Sequence, residues 1–374
     1  MKQPIRRVVC VLVLAMTAFA ARAQAQEDSF PRFHFSGDFR LRYENNSADT
    51  YPLAPRGVRN REVFRVRAGA LVTINKYLTA GARLVTGNSD DPKTTDVTLG
   101  NFLNDFEVSL DQAYLQFAYQ GLVLSGGKFP NPFLKAIEVI WDGDVNPQGL
   151  AGSYTVPGSS VFTPKVTGMY FIVDEQSNGL DSYMGGGQAS LAVNAWDNFG
   201  FTLAGAYYDY RIRSLANAGP GDIRDNYVVE VAPGDTLYLS DFDLLDVTAI
   251  VTSSAFGERY PIRLFGDYVK NLGAAVDEDQ GLAAGIYVGK ASSKGDRRIH
   301  YSYSEAQTDA VLGAFSHDNL RLGTNYVLHT LAVDFVPLRS TVLNATWYIY
   351  RRKDPAATPN DYISRLRLNL MVLF

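Results

Sequence analysis

The sequence predicts an all-β chain: a transmembrane antiparallel β-barrel of about 16 strands, with short periplasmic turns and long extracellular loops. Three observations predict it. The final thirteen residues, YISRLRLNLMVLF, alternate without a break. Leu366, Leu368, Leu370, Val372 and Phe374 fall on one face, and Arg365, Arg367 and Asn369 on the other. The beginning of the chain reads as an export signal. Between the two ends, strand-like segments are joined by connections that alternate between short and long.

Residues 1–25 carry Lys2, Arg6 and Arg7, an apolar run over 8–20, and small residues that fit cleavage after Ala23 or Ala25. The apolar run is too short for a membrane-spanning helix. Cys10 lies inside it without the small apolar residues expected before a lipidated cysteine, and the remainder, 26–374, has no cysteine. The barrel is therefore expected to stand on backbone pairing and packing, without disulfides. The chain has 35 basic and 39 acidic residues. Cleavage after Ala25 removes four basic residues (Lys2, Arg6, Arg7, Arg22) and leaves 31 against 39, a charge of −8. That balance excludes a nucleic-acid binder.

The first strand is expected over 32–44, with Phe33, Phe35, Phe39, Leu41 and Tyr43 on one face and His34, Ser36, Asp38, Arg40 and Arg42 on the other. Fourteen further segments show recognisable strand patterns: 61–74, 77–87, 107–119, 122–130, 166–174, 187–196, 199–211, 244–253, 260–270, 282–291, 296–306, 323–336, 340–352 and 362–374. The segment 148–157 has a weak pattern. It is assigned as a strand because without it two long connections would follow each other on opposite sides of the sheet. Asn75-Lys76, Gln120-Gly121 and Asp197-Asn198 read as two-residue turns, and 292–295 and 337–339 as short ones. Long polar stretches occupy 45–60, 88–106, 131–147, 175–186, 212–243, 271–281, 307–322 and 353–361.

With apolar faces turned to lipid, Arg40, Arg42, Arg65, Arg67, Arg83, Arg365 and Arg367 point inward. Closure of the last strand on the first gathers them into one basic wall, which Lys128 extends. Such a wall needs compensating acids, anions or water. One source is Arg40 and Arg42 pairing with Asp38 and Glu44 as interior glue. Another is the loop 131–147, NPFLKAIEVIWDGDVNP, in which 133–141 is expected to form two turns of amphipathic helix. Folded inward, it would set Asp142 and Asp144 against the arginines at a constriction. The run from Asp142 to Asn146 begins like a calcium loop but has Pro147 and Ser153 where glycine and glutamate are required, so no metal and no cofactor is expected.

Several stretches resemble the bacterial putative porin family. They are FSGDFRLRYE at 35–44, RVR at 65–67, TAGARL at 79–84, LDQAY at 110–114, GGK at 126–128 with NPF at 131–133, and WD at 141–142 with NPQG at 146–149. The dense matches cover about the first 120 residues after the expected cleavage. The resemblance implies an outer-membrane channel of sixteen strands, a homotrimer, with an inward third loop and a basic wall. It assigns Arg40, Arg42, Arg65, Arg67 and Arg83 to that wall and Asp142 and Asp144 to the loop. It also implies that Phe374 is an assembly signal read by the outer-membrane assembly machinery. The expected function is passive diffusion of ions and small hydrophilic solutes, in contact with outer-membrane lipid.

Two other classes fit parts of the sequence. An adhesin or receptor would use the acidic loop 212–243, with Asp222, Asp225, Glu230, Asp235, Asp241 and Asp243. A barrel hydrolase would need His300 beside Ser302 and Ser304, but the adjoining strands are expected to offer no inward acid to orient the imidazole, so no enzyme is expected.

Overall fold

The computed structural model describes residues 32–374, apart from residue 92 and residues 101–104; the expected signal at 1–25 lies outside the described residues. Sixteen long strands form the wall: β1 (Arg32–Asn46), β2 (Arg59–Thr73), β3 (Leu78–Thr86), β4 (Val108–Tyr119), β5 (Leu122–Lys128), β6 (Gln148–Thr155), β7 (Phe162–Asp174) and β8 (Ser182–Trp196) make one half. The other half is β9 (Phe199–Arg211), β10 (Phe242–Ser253), β11 (Ile262–Asn271), β12 (Gln280–Gly289), β13 (Arg297–Ala306), β14 (Tyr326–Leu338), β15 (Thr341–Arg352) and β16 (Ile363–Leu373). Each strand pairs antiparallel with the next, and β16 pairs with β1, so the sheet closes.

Closure is set by the alternation of both end strands. Leu41 faces Leu370 and Tyr43 faces Leu368 outside, while Arg42 faces Asn369 and Glu44 faces Arg367 inside. The backbone of Phe374 exchanges two hydrogen bonds with Gly37. A Cβ at Gly37 would stand 2.6 Å from the Phe374 ring and 2.4 Å from the Arg67 carbonyl oxygen, so only glycine seats the terminal ring there.

The polarity of the wall is inverted relative to a water-soluble protein. Phe35 is 77% exposed on the outer surface, whereas Glu44 on the inner surface is 0% exposed. An apolar exterior of this extent requires lipid. Aromatic pairs such as Tyr77 with Tyr119 and Trp196 with Phe199 mark one rim of the apolar band.

The connections at that rim are 74–77, 120–121, 156–161, 197–198, 254–261, 290–296 and 339–340. At the other rim run L1 (47–58), L2 (87–107), L3 (129–147), L4 (175–181), L5 (212–241), L6 (272–279), L7 (307–325) and L8 (353–362). The 74–77 turn is four residues rather than two, because the Asn75 side chain accepts from the Tyr77 and Leu78 amides and spreads the bend. Short strands add to the loops: Val97–Thr98 in L2, and a hairpin of Val228–Ala232 with Asp235–Tyr238 in L5, which also holds the short helix α1 (Pro220–Ile223).

The hydrophobic core lies inside the barrel. L3 and L7 bring Phe133, Trp141, Val311 and Phe315 against inward aromatics of β7 and β9. L3 is not helical, contrary to expectation. Its apolar side chains pack in more than one direction, Phe133 and Trp141 on β9 and Ile137 and Val139 toward β12–β15, so a single helical stripe would not serve, and side chains satisfy its backbone instead. Gln188 on β8 both donates to and accepts from Leu134, and the Lys135 ammonium donates to the Trp141 carbonyl.

Candidate functional site

L3 crosses the bore nearly from wall to wall. At one side the Phe133 and Trp141 rings pack on Tyr208 of β9, at 5.2 and 6.2 Å between centroids. At the other, the Asp144 carboxylate is 3.1 Å from Arg67 on β2. These strands are seven apart in a ring of sixteen, almost diametrically opposed. Phe315 of L7 stacks on Trp141 at 5.6 Å, so L3 and L7 form one partition.

Arg40, Arg42, Arg65, Arg67, Arg83, Arg365 and Arg367 all turn inward, and each meets an acid. Arg65 and Arg67 both bind Asp38, at 2.6 Å each, and Arg83 binds Asp111 on β4 at 2.5 Å. Arg367 binds Glu44 at 2.8 Å, with Arg365 at 4.0 Å from the same carboxylate. Arg61, absent from the sequence-based set, also binds Glu44 at 2.8 Å. Arg40 and Arg42 do not pair with Asp38 and Glu44. They share Asp96 of L2, Arg42 at 2.5 Å.

Register explains the exchange. Arg40 and Arg65 stand directly opposite each other, so repulsion turns each toward a different acid. Asp96 is available because Val97–Thr98 pairs with Val63 and Phe64 on β2 above the end of β3, which fixes the preceding residue over the wall. Burial would raise the Asp96 pKa, but Arg42 and Arg40 outweigh it and hold the carboxyl below its ordinary value. Eight guanidiniums thus face five carboxylates (Asp38, Glu44, Asp96, Asp111, Asp144), an excess of three positive charges.

Asp142 does not reach the wall. Its carboxylate accepts from the Asp144 and Asp318 amides, at 2.7 and 3.0 Å, and lies within the L3–L7 contact. Burial, then the charges of Glu138 and Asp318, push its pKa well above the usual carboxylate range. Glu138 is also raised, by burial foremost and by Asp318, against the opposing pull of Lys135. Lys128 stands on β5 beside β4, the strand whose Asp111 binds Arg83. Gly127, at φ +117°, breaks the alternation that would put Lys128 on the face of Leu122 and Leu124, and Lys128 lines a cavity of about 230 Å³ at the long-loop mouth with Lys93 and Asn146.

Asn319 of L7 ties the partition to the wall. Its side chain donates to Glu138 and accepts from Arg367, at 2.9 and 2.7 Å, while its carbonyl accepts from Arg365 at 2.7 Å. L5 holds L7 in turn: the Asn226 amide donates to the Thr308 and Val311 carbonyls and accepts from the Gly313 amide. Of the L5 acids, Asp225 is spent in the same way, accepting from the Gly323 amide of L7, while Asp222 accepts from Gly219 within L5 itself. Nothing in the local sequence marks L2, L5 and L7 for this. Their partners are 46 to 181 positions away.

Below the partition, toward the short-turn rim, lies a chamber of about 410 Å³ between L3, L7 and β12–β15. His300, Ser302 and Ser304 face it. The adjoining β14 does supply an inward acid, Asp334, contrary to expectation. Its carboxylate is held by Arg298 and Asn344, each at 2.8 Å, and the His300 ring stacks on Tyr287 at 4.0 Å. The residues do not assemble a serine, base and acid relay.

Comparison with known proteins agrees with this architecture. Residues 46–219 match a family model described as putative porin. Pseudomonas putida OprB superposes with a TM-score of 0.59 at 13% identity, over 91% of this chain and 94% of that one. An anion-selective porin from Comamonas acidovorans gives 0.54 at 10% identity, over 92% and 100%. Salmonella typhi OmpF in complex with daunomycin gives 0.55 at 11%, over 92% and 98%. No curated protein matches the sequence. At these identities the superpositions speak for the fold.

Proposed function

We propose, on the premise that residues 46–219 match the putative porin model, that this chain forms an outer-membrane channel for passive diffusion of ions and small hydrophilic solutes. The observation that carries this reading is the closed barrel whose charged interior is crossed by an inward loop facing an arginine wall. A structural barrel needs no such loop, whereas a pore uses it to narrow the bore and set charge at the narrowest point. The short-turn rim faces the periplasm and the L1–L8 rim the exterior, following the arrangement common to outer-membrane barrels.

Arg40, Arg42, Arg61, Arg65, Arg67, Arg83, Arg365 and Arg367, with Asp96 and Asp144, set ion preference, and the three unbalanced charges favour anions in the bore. Glu138, Asp142 and Asn319 hold the partition. No catalytic role is assigned. The test is swelling of proteoliposomes in isotonic small solutes. Swelling that slows with solute size supports a sieving pore; vesicles containing folded barrel that do not swell refute it.

The channel is proposed to be a homotrimer. On the outer face of β2–β4, Ala70, Ala82 and Ala113 stand opposite one another in a single register row, and small side chains allow close packing of walls within a bilayer. Crosslinking through Ala82→Cys should give a covalent oligomer; exclusively monomeric protein under the same conditions would refute that contact.

A further inference from the structure

The chamber below the partition has a chemistry that ion diffusion does not require. Its formal charges cancel and are already engaged. Arg298 is paired with Asp334, Lys135 donates to a backbone carbonyl, and Glu138 accepts from Asn319. Among its buried groups, those left without a partner are neutral. The Oγ of Ser302 and the Nε2 of His300, 1% and 9% exposed as residues, have no hydrogen-bond partner among the described residues, and neither ring nitrogen of His317 has one. Burial and the charges of Arg224 and Lys93 push His317 down to about 3, so its imidazole is neutral at physiological pH. Thr330 and Thr346 add hydroxyls to the same lining.

Apolar surface in the same lining comes from Ile137 and Val139 of L3 and, beside Thr330 on the wall itself, from Leu328 of β14. A ligand that matches has a C–H surface and an edge of hydroxyls that both donate and accept, and it carries no net charge. An anion or a zwitterion would need an unspent charge, and the lining has none to give. At roughly 30 Å³ per water-sized group, the chamber holds on the order of a dozen such groups, the heavy-atom count of a hexose. It also meets a second cavity at the short-turn rim through the shared residues Tyr287 and Arg298, which gives a route of entry from that side.

We propose that this chamber is a binding site for a neutral polyhydroxylated solute of monosaccharide size, held by Ser302, His300, His317 and Thr330 beneath L3. This deepens the channel reading and rests on it.

The test is planar-bilayer recording of the full chain in KCl with D-glucose added at the short-turn side, and a polyethylene glycol of matched size as control. Glucose is expected to reduce the current saturably, beyond the non-saturating effect of the polymer. In His300→Phe/Ser302→Val, which removes two neutral hydrogen bonds, the half-blocking concentration is expected to rise roughly tenfold. Should that variant fail to insert, Thr330→Val provides the same comparison with a smaller rise. Channels that respond to glucose only as they do to the polymer would overturn the site while leaving the channel standing. Saturable block unchanged in both variants would overturn the residue assignment, and an absence of any channel would refute the channel reading instead.

Discussion

Replacing Arg40 and Arg65 together by alanine should move the channel toward cation preference. Neither substitution strands a buried carboxylate, because Asp96 keeps Arg42 and Asp38 keeps Arg67. The positive excess at the wall falls from three to one. A unit charge about 8 Å from a passing ion is worth about 0.5 kcal/mol in water. Screening at about 0.1 M salt, with a Debye length near 10 Å, roughly halves this. Two charges then contribute about 0.5 kcal/mol, with opposite sign for anion and cation, so the permeability ratio changes by about 1 kcal/mol, or roughly fivefold. Across an approximately tenfold KCl gradient the reversal potential should shift by on the order of 30 mV in the cation direction. The assay is zero-current potential in planar bilayers, repeated at about 1 M salt, where a Debye length near 3 Å should nearly abolish the shift. An unchanged potential at low salt would refute the reasoning and leave these arginines as structural ties only.

Three further outcomes follow from the partition. Asp142 and Glu138 have pKa values raised above those of the unfolded chain, so the L3–L7 contact is most stable below the ordinary carboxylate range and weakens as pH rises through the raised values. Single-channel current should therefore be larger at pH 8 than at pH 4, and Asp142→Asn should flatten the profile; a wild-type current independent of pH would contradict this. Trp141→Ala removes the ring packed on Phe315, Tyr208 and Tyr210 and should cost about 3–5 kcal/mol of loop docking. The unitary conductance should rise, and an unchanged value would show that L3 does not restrict the bore. Deleting Phe374 should lower the yield of inserted protein without altering the conductance of channels that do insert, since the ring sits outside the bore over Gly37; an altered unitary conductance would count against its role as an assembly signal.

The strands were legible because each has one face in lipid and one in the bore, so period two persists over whole segments. Even Gln148–Thr155, weak in pattern, followed from the parity of its neighbours. The inward direction of the arginines followed from the same alternation. Their partners did not. Arg40 opposite Arg65 is a fact of register, and Asp96 reaches the wall only because Val97–Thr98 pairs where β3 has ended. The apolar run of L3 signalled an inward loop, but its side chains pack in more than one direction, which removed the reason for a helix. Asn319 and Asn226 act through contacts with chain far away in sequence, and a lone asparagine in a polar loop carries no local mark of that.

Conduction through this barrel is the property on which the proposed function rests. Its most direct test is the purified full chain added to a planar bilayer in about 1 M KCl, where discrete, uniform current steps are predicted. A folded, inserted barrel that leaves the bilayer electrically silent would contradict it.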